Sequence, residues 1–151
     1  MNKKRFEQYK KMLRFLITAI LVVCETVLFI YFWKENYNSG IVFPFYYKGY
    51  WLVGAFYAFF FVMFIYIYGG MRYGYLKNTN IIFSQTLSLI CANAAIYLET
   101  VLLSAKFVDF FPIIEMTVLQ FLVSAVWSAV WGKIFKIMFP PHKVTVLYQD
   151  Y

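Results

Sequence analysis

The chain has 151 residues, 63% hydrophobic and 24% aromatic, with only 14% charged and a formal net charge of +7. A soluble domain carries about 25% charged residues, and 14 Lys plus Arg with 7 Asp plus Glu cannot cover so apolar a chain against water. The composition therefore excludes a soluble globular protein and, because disorder needs low hydrophobicity, an intrinsically disordered one. The basic excess points to membrane orientation rather than to nucleic acid.

Residues 1–14 form a basic leader containing Lys3, Lys4, Arg5, Lys10, Lys11 and Arg14. Such a run is a topology signal and also a candidate contact for anionic lipid head groups, at about 1 kcal/mol per basic residue near the surface. The first span, about 15–33, carries one carboxylate, Glu25. Its Leu, Ile, Val and Phe number 12 and contribute roughly −4 to −7 kcal/mol to insertion, against roughly +3 for a central acid, so insertion wins. The apolar run exceeds that of a cleaved signal peptide and no small-x-small site follows it, so it is expected to remain as an anchor.

The second span, about 50–71, lies in an uncharged run that is apolar on every helical face, unlike a soluble amphipathic helix. Its Phe56, Tyr57, Phe59, Phe60, Phe61 and Phe64 are read as packing and lipid-facing aromatics, with a lipid groove as the functional alternative. Gly70 and Gly74 have GxxxG spacing, but their place beside Arg72 at a span end reads as a turn. The third span, about 79–103, is more polar because of Ser84, Gln85, Ser88 and Asn93. Glu99, Lys106, Asp109 and Glu115 then cluster around a loop and are read as solvated charges rather than as a cation or ligand site. The fourth span covers about 113–138.

Lys and Arg divide 11 to 3 between the two sides of this arrangement. The positive-inside rule then places both termini and the connection between spans two and three in the cytoplasm. The expected fold is all-α, an antiparallel four-helix bundle in the membrane. Cys24 and Cys91 fall inside spans and read as small packing residues rather than as a disulfide.

Glu25, Gln85 and Asn93 are the candidate intramembrane polar site. An ionisable group at that depth points to function by default, through a proton or a polar head group. The structural alternative carries Glu25 as the neutral acid or hydrogen-bonded to Asn93 or Gln85. It is favoured because no basic partner lies at similar depth. No catalytic, cofactor-binding or metal-binding residue is assigned. The single histidine, His142, has no ligand cluster around it, and neither a phosphate loop nor a dinucleotide fingerprint occurs.

After the last span, Pro140-Pro141 stops the helix, and residues 143–148 read as a short strand. A lone strand is not stable, so residues 140–151 are expected to begin a cytoplasmic domain that continues past Tyr151.

Several short motifs follow one another along the chain: Phe43-Pro44-Phe45, Tyr68-Gly69-Gly70-Met71-Arg72-Tyr73-Gly74-Tyr75-Leu76, Ser84-Gln85 with Asn93 and Tyr97, and Pro140-Pro141-His142-Lys143 leading into the strand. Together they resemble the N-terminal membrane region of bacterial polyprenyl glycosylphosphotransferases, the sugar transferases of exopolysaccharide synthesis. The resemblance implies a membrane anchor in the bacterial inner membrane for a separate catalytic domain that uses magnesium to transfer a sugar-1-phosphate from a UDP-sugar to polyprenyl phosphate. Self-association or contact with exopolysaccharide assembly proteins is implied too. His142 departs from the arginine and Gln149 from the glycine expected there, and none of the family's catalytic residues maps onto this chain. The other functional reading is a small four-span transporter or flippase accessory for lipid-linked sugars.

Overall fold

A computed structural model describes residues 3–43, 49–72 and 77–138. Among these residues the protein is all-helical, 87% helix with no strand. Four α-helices follow in order: α1 (Lys3–Asn36), α2 (Tyr50–Tyr68), α3 (Asn78–Ser104) and α4 (Phe111–Met138). All four are long and apolar enough to cross a membrane. The expected strand at 143–148 and the Pro140-Pro141 stop lie outside the described residues.

The helix ends differ from the expected spans for identifiable reasons. Helix α1 begins at Lys3, inside the basic leader, because Lys, Arg, Glu, Gln, Met and Leu are good helix formers and no Gly or Pro interrupts them. Its 34 residues reach about 51 Å, well beyond the roughly 30 Å of bilayer hydrocarbon. The helix is therefore longer than the lipid core is thick. Helix α2 stops at Tyr68 rather than Met71 because Gly69 adopts a left-handed φ of 76°. The Gly70 amide then bonds back to the Ile65 carbonyl at 2.9 Å, a common way to end a helix.

Each helix packs on its two neighbours in a ring, α1 on α2 and α4, and α3 on α2 and α4. The contacts define an up-down-up-down order. Arg14, near the start of α1, stacks on Phe135 near the end of α4, while Tyr37, just past the end of α1, bonds Asp109 just before α4.

Besides Gly54, the buried residues of α2 are Val53, Tyr57, Phe61 and Ile65, which recur every four positions and so form one stripe. Phe29 of α1 stacks on Tyr57 at 4.3 Å between ring centroids. Phe56 and Phe59 face outward. The aromatic run of α2 is therefore divided between core and lipid face.

Helix α4 shows the inverse of soluble patterning. Its buried stripe contains Gln120, Ser124, Ser128 and Gly132, whereas Val118, Leu122, Val126 and Val130 are exposed. Small and polar residues belong at helix interfaces when lipid covers the outside, because they allow close approach and hydrogen bonding between helices. At Gly132 a Cβ would strike the Asn78 side chain at the start of α3. Gly132→Leu is therefore expected to cost about 1–3 kcal/mol by overpacking. Gly132→Ala should cost less, because the Asn78 amide can swing aside; denaturation in mixed lipid–detergent micelles measures both.

Candidate functional site

At mid-bundle the four helices each contribute one buried polar residue: Glu25 from α1, Tyr57 from α2, Asn93 from α3 and Gln120 from α4. None is more than 2% exposed. Gln120 is the hub. Its amide nitrogen donates to the Tyr57 hydroxyl at 2.7 Å and makes a long 3.4 Å contact with the Glu25 backbone carbonyl. Its amide oxygen accepts from Asn93 at 2.8 Å. The Asn93 nitrogen also donates to Thr117 at 2.8 Å, and Thr117 donates its own proton to the Ile113 carbonyl.

Donors and acceptors can then be counted against the capacity of each side chain. Both amide hydrogens of Gln120 and of Asn93 are engaged. The buried oxygens left over at this level are the two of the Glu25 carboxyl and the Asn93 amide oxygen, and the Tyr57 hydroxyl, an acceptor to Gln120, still carries a proton to donate. The arrangement ties four helices together through one amide, and among the described residues no cluster of His, Cys, Asp and Glu could hold a metal ion.

Gln85 lies elsewhere. It is eight residues before Asn93 on α3, about 12 Å along the axis. Its amide nitrogen donates to the Gly70 carbonyl at 3.1 Å. Its oxygen accepts from Ser124 at 2.7 Å and from Ser128. This second knot joins α3, α4 and the turn after α2.

Of the three polar residues singled out from the sequence, Glu25 and Asn93 meet through Gln120, and Gln85 is separate. The Glu25 carboxyl does not bond to Asn93 or Gln85, contrary to the structural alternative based on those partners. That expectation overlooked Gln120, Ser124, Ser128 and Tyr57. The available signal was the four-residue spacing of polar and small residues from Gln120 to Gly132 within an apolar helix.

At the opposite end to the leader, tyrosines hold the connection between α3 and α4. Tyr37 donates to the Asp109 carbonyl and Tyr97 to the Val108 carbonyl, each at 2.8 Å. The Asp109 carboxylate accepts from the Phe111 amide at the start of α4, and Trp33 bonds Thr100 at 3.1 Å. Of the loop charges read as solvated, Lys106, Asp109 and Glu115 are exposed, while Glu99 is partly buried.

Burial pushes the Tyr37 phenol up to about 12, with the charge of Asp109 and the Tyr97 phenol adding to the rise and the Ile113 backbone opposing it. An acid whose ionisation is disfavoured by folding contributes fully below its unfolded value of 10.0 and loses that contribution as pH climbs through the folded value. The stability difference between the natural chain and Tyr37→Phe should thus stay flat up to about pH 10 and change between about 10 and 12. Denaturation across that range measures it.

Comparison of the chain with protein-family models, with curated proteins and with solved structures finds no match. The functional reading rests on the residues themselves.

Proposed function

We propose that the chain is the membrane-anchoring module of a polyprenyl-phosphate sugar-1-phosphate transferase of exopolysaccharide biosynthesis. Its own residues take no part in catalysis. The proposal places the protein in the bacterial inner membrane with both termini and the α2–α3 connection in the cytoplasm. Membrane lipid and polyprenyl phosphate are its proposed ligands, and further copies or exopolysaccharide assembly proteins its proposed neighbours. Magnesium would act in a catalytic domain outside these residues.

Two sequence features support this reading: the order of the motifs from Phe43 to Lys143 and the 11 to 3 division of Lys and Arg. The bundle geometry agrees with the second, because Arg14 meets Phe135 and Gly132 closely approaches Asn78. The leader, the start of α3 and the end of α4 therefore share one end.

The observation that favours an anchor over a carrier is the sealing of the polar core. Tyr57, Gln85 and Gln120 are fully buried and bonded from helix to helix, which suits interhelical attachment rather than a hydrated path. The unpartnered Glu25 carboxyl is the one observation on the carrier's side.

Proteoliposomes containing the chain should move no labelled polyprenyl-linked sugar, and Glu25→Gln should leave the bundle as stable or more so. An unpaired buried carboxyl is costly, whereas an amide brings its own donors. Transport that Glu25→Gln abolishes would establish the carrier. The transferase assignment is tested separately by the coding frame. It should continue past Tyr151 into a domain that releases UMP from a UDP-sugar when polyprenyl phosphate and magnesium are supplied. A stop codon directly after Tyr151, with no longer product, would contradict it.

A further inference from the structure

Helices α1 and α2 leave a groove of about 340 Å³ between them, toward the end of the bundle that carries the leader. Its walls include Phe15, Thr18, Ala19 and Val22 of α1, Val62 of α2 and Met71 just past α2, and the surface they present is apolar. Phe15 and Val62 are exposed. On helices long and apolar enough to cross a membrane, such an outward groove lies against lipid chains.

Two cations continue the stripes that line it. On α1, Lys11, Phe15, Thr18 and Val22 follow at helical spacing, so Lys11 stands one turn beyond Phe15 on the groove face. On α2, Val62 and Gly69 lie two turns apart on one face. The Arg72 side chain folds back over Gly69, with its Nε 3.5 Å and its Cζ 3.9 Å from where a Cβ would stand. Lys11 and Arg72 therefore flank the same end of the groove. Both are exposed, and among the described residues neither side chain has an ion-pair or hydrogen-bond partner. The acid of the leader, Glu7, lies 3.8 Å from the Lys10 ammonium instead.

Arg72 is the first charge after the uncharged run of α2, and Lys11 lies in the leader just before that of α1. Charges so placed mark the border of the hydrocarbon. An apolar groove that opens between two cations at that border is complementary to an anionic phospholipid.

We propose that the α1–α2 groove is a specific site for an anionic phospholipid, with one acyl chain between Phe15 and Val62 and its phosphate held by Lys11 and Arg72. The site goes beyond diffuse attraction of the leader to the membrane, because one of its two cations follows α2, and it does not depend on the transferase assignment.

Native mass spectrometry of the full chain tests it. The protein in detergent is titrated with an equal mixture of phosphatidylglycerol and phosphatidylcholine of matched acyl chains, which differ in mass. The first lipid retained should be phosphatidylglycerol by at least about fivefold, the expectation for one basic contact. The preference should vanish in Lys11→Gln/Arg72→Gln, both exposed positions outside the core. It should persist in Lys11→Arg/Arg72→Lys and in Lys3→Gln/Lys4→Gln/Arg5→Gln. Ala19→Leu, which narrows the groove, should lower retention of phosphatidylglycerol, and glycerophosphoglycerol, the same head group without chains, should not compete. Equal retention of the two lipids would overturn the site, as would a preference that survives loss of Lys11 and Arg72 or disappears with Lys3, Lys4 and Arg5. Competition by the chainless head group, or undiminished retention in Ala19→Leu, would show that the groove plays no part and overturn it equally.

Discussion

Tyr57→Ala is expected to destabilise the bundle by roughly 2–4 kcal/mol. The ring is fully buried, stacked on Phe29 at 4.3 Å and offset against Phe61 at 5.9 Å. Truncating a large aromatic side chain in a water-soluble core costs about 3–5 kcal/mol. Part of that is transfer from water, which drops out when the separated helices remain in lipid. The cavity and the lost contacts remain and set the lower range. Tyr57→Phe keeps the ring and removes one interhelical bond, at about 0.6 kcal/mol. A Phe variant as damaging as the Ala variant would show that the hydroxyl dominates; denaturation in mixed micelles separates the two cases.

Gln120→Leu should follow at roughly 2–3 kcal/mol. Interhelical hydrogen bonds in membranes average about 0.6 kcal/mol and reach about 1.7, so the contacts to Tyr57, Asn93 and Glu25 alone give about 2. Leucine also leaves one Asn93 amide hydrogen without its acceptor, and a buried unsatisfied group adds a penalty of its own. The cost should shrink in an Asn93→Leu background, where that donor is already gone. A double-mutant cycle reads the coupling directly, and strictly additive losses would mean that the two amides do not share a network.

The four helices were legible because charge is costly in lipid and marks their limits: Lys34, Arg72, Lys77 and Lys106 bracket the apolar runs. Their ends were less legible. Charge marks where a helix leaves the membrane, not where its backbone changes conformation. Helix α1 thus continues back through the leader, and α2 ends at Gly69 before the charge at Arg72 is reached. The candidate site was half legible. Glu25 and Asn93 stand out as polar residues within apolar runs, but the hub is Gln120, whose importance comes from facing three other helices at once. Tyr57 was hidden differently: among Phe56, Phe59 and Phe60 it reads as one more aromatic, and only the packing of α2 against α1 and α3 turns its hydroxyl inward to Gln120 of α4.

The central claim is that this polar core joins the helices and does not line a hydrated path. Cysteine accessibility across the bundle tests it most directly, because Ser124→Cys and Ser128→Cys change one atom each at the buried knot around Gln85. In membranes, with Cys24 and Cys91 replaced by alanine, neither engineered thiol should react with a membrane-impermeant maleimide applied to both faces. Lys106→Cys, at an exposed loop position, should react readily. Labelling at Ser124→Cys or Ser128→Cys at a rate approaching that of the loop thiol would contradict the account.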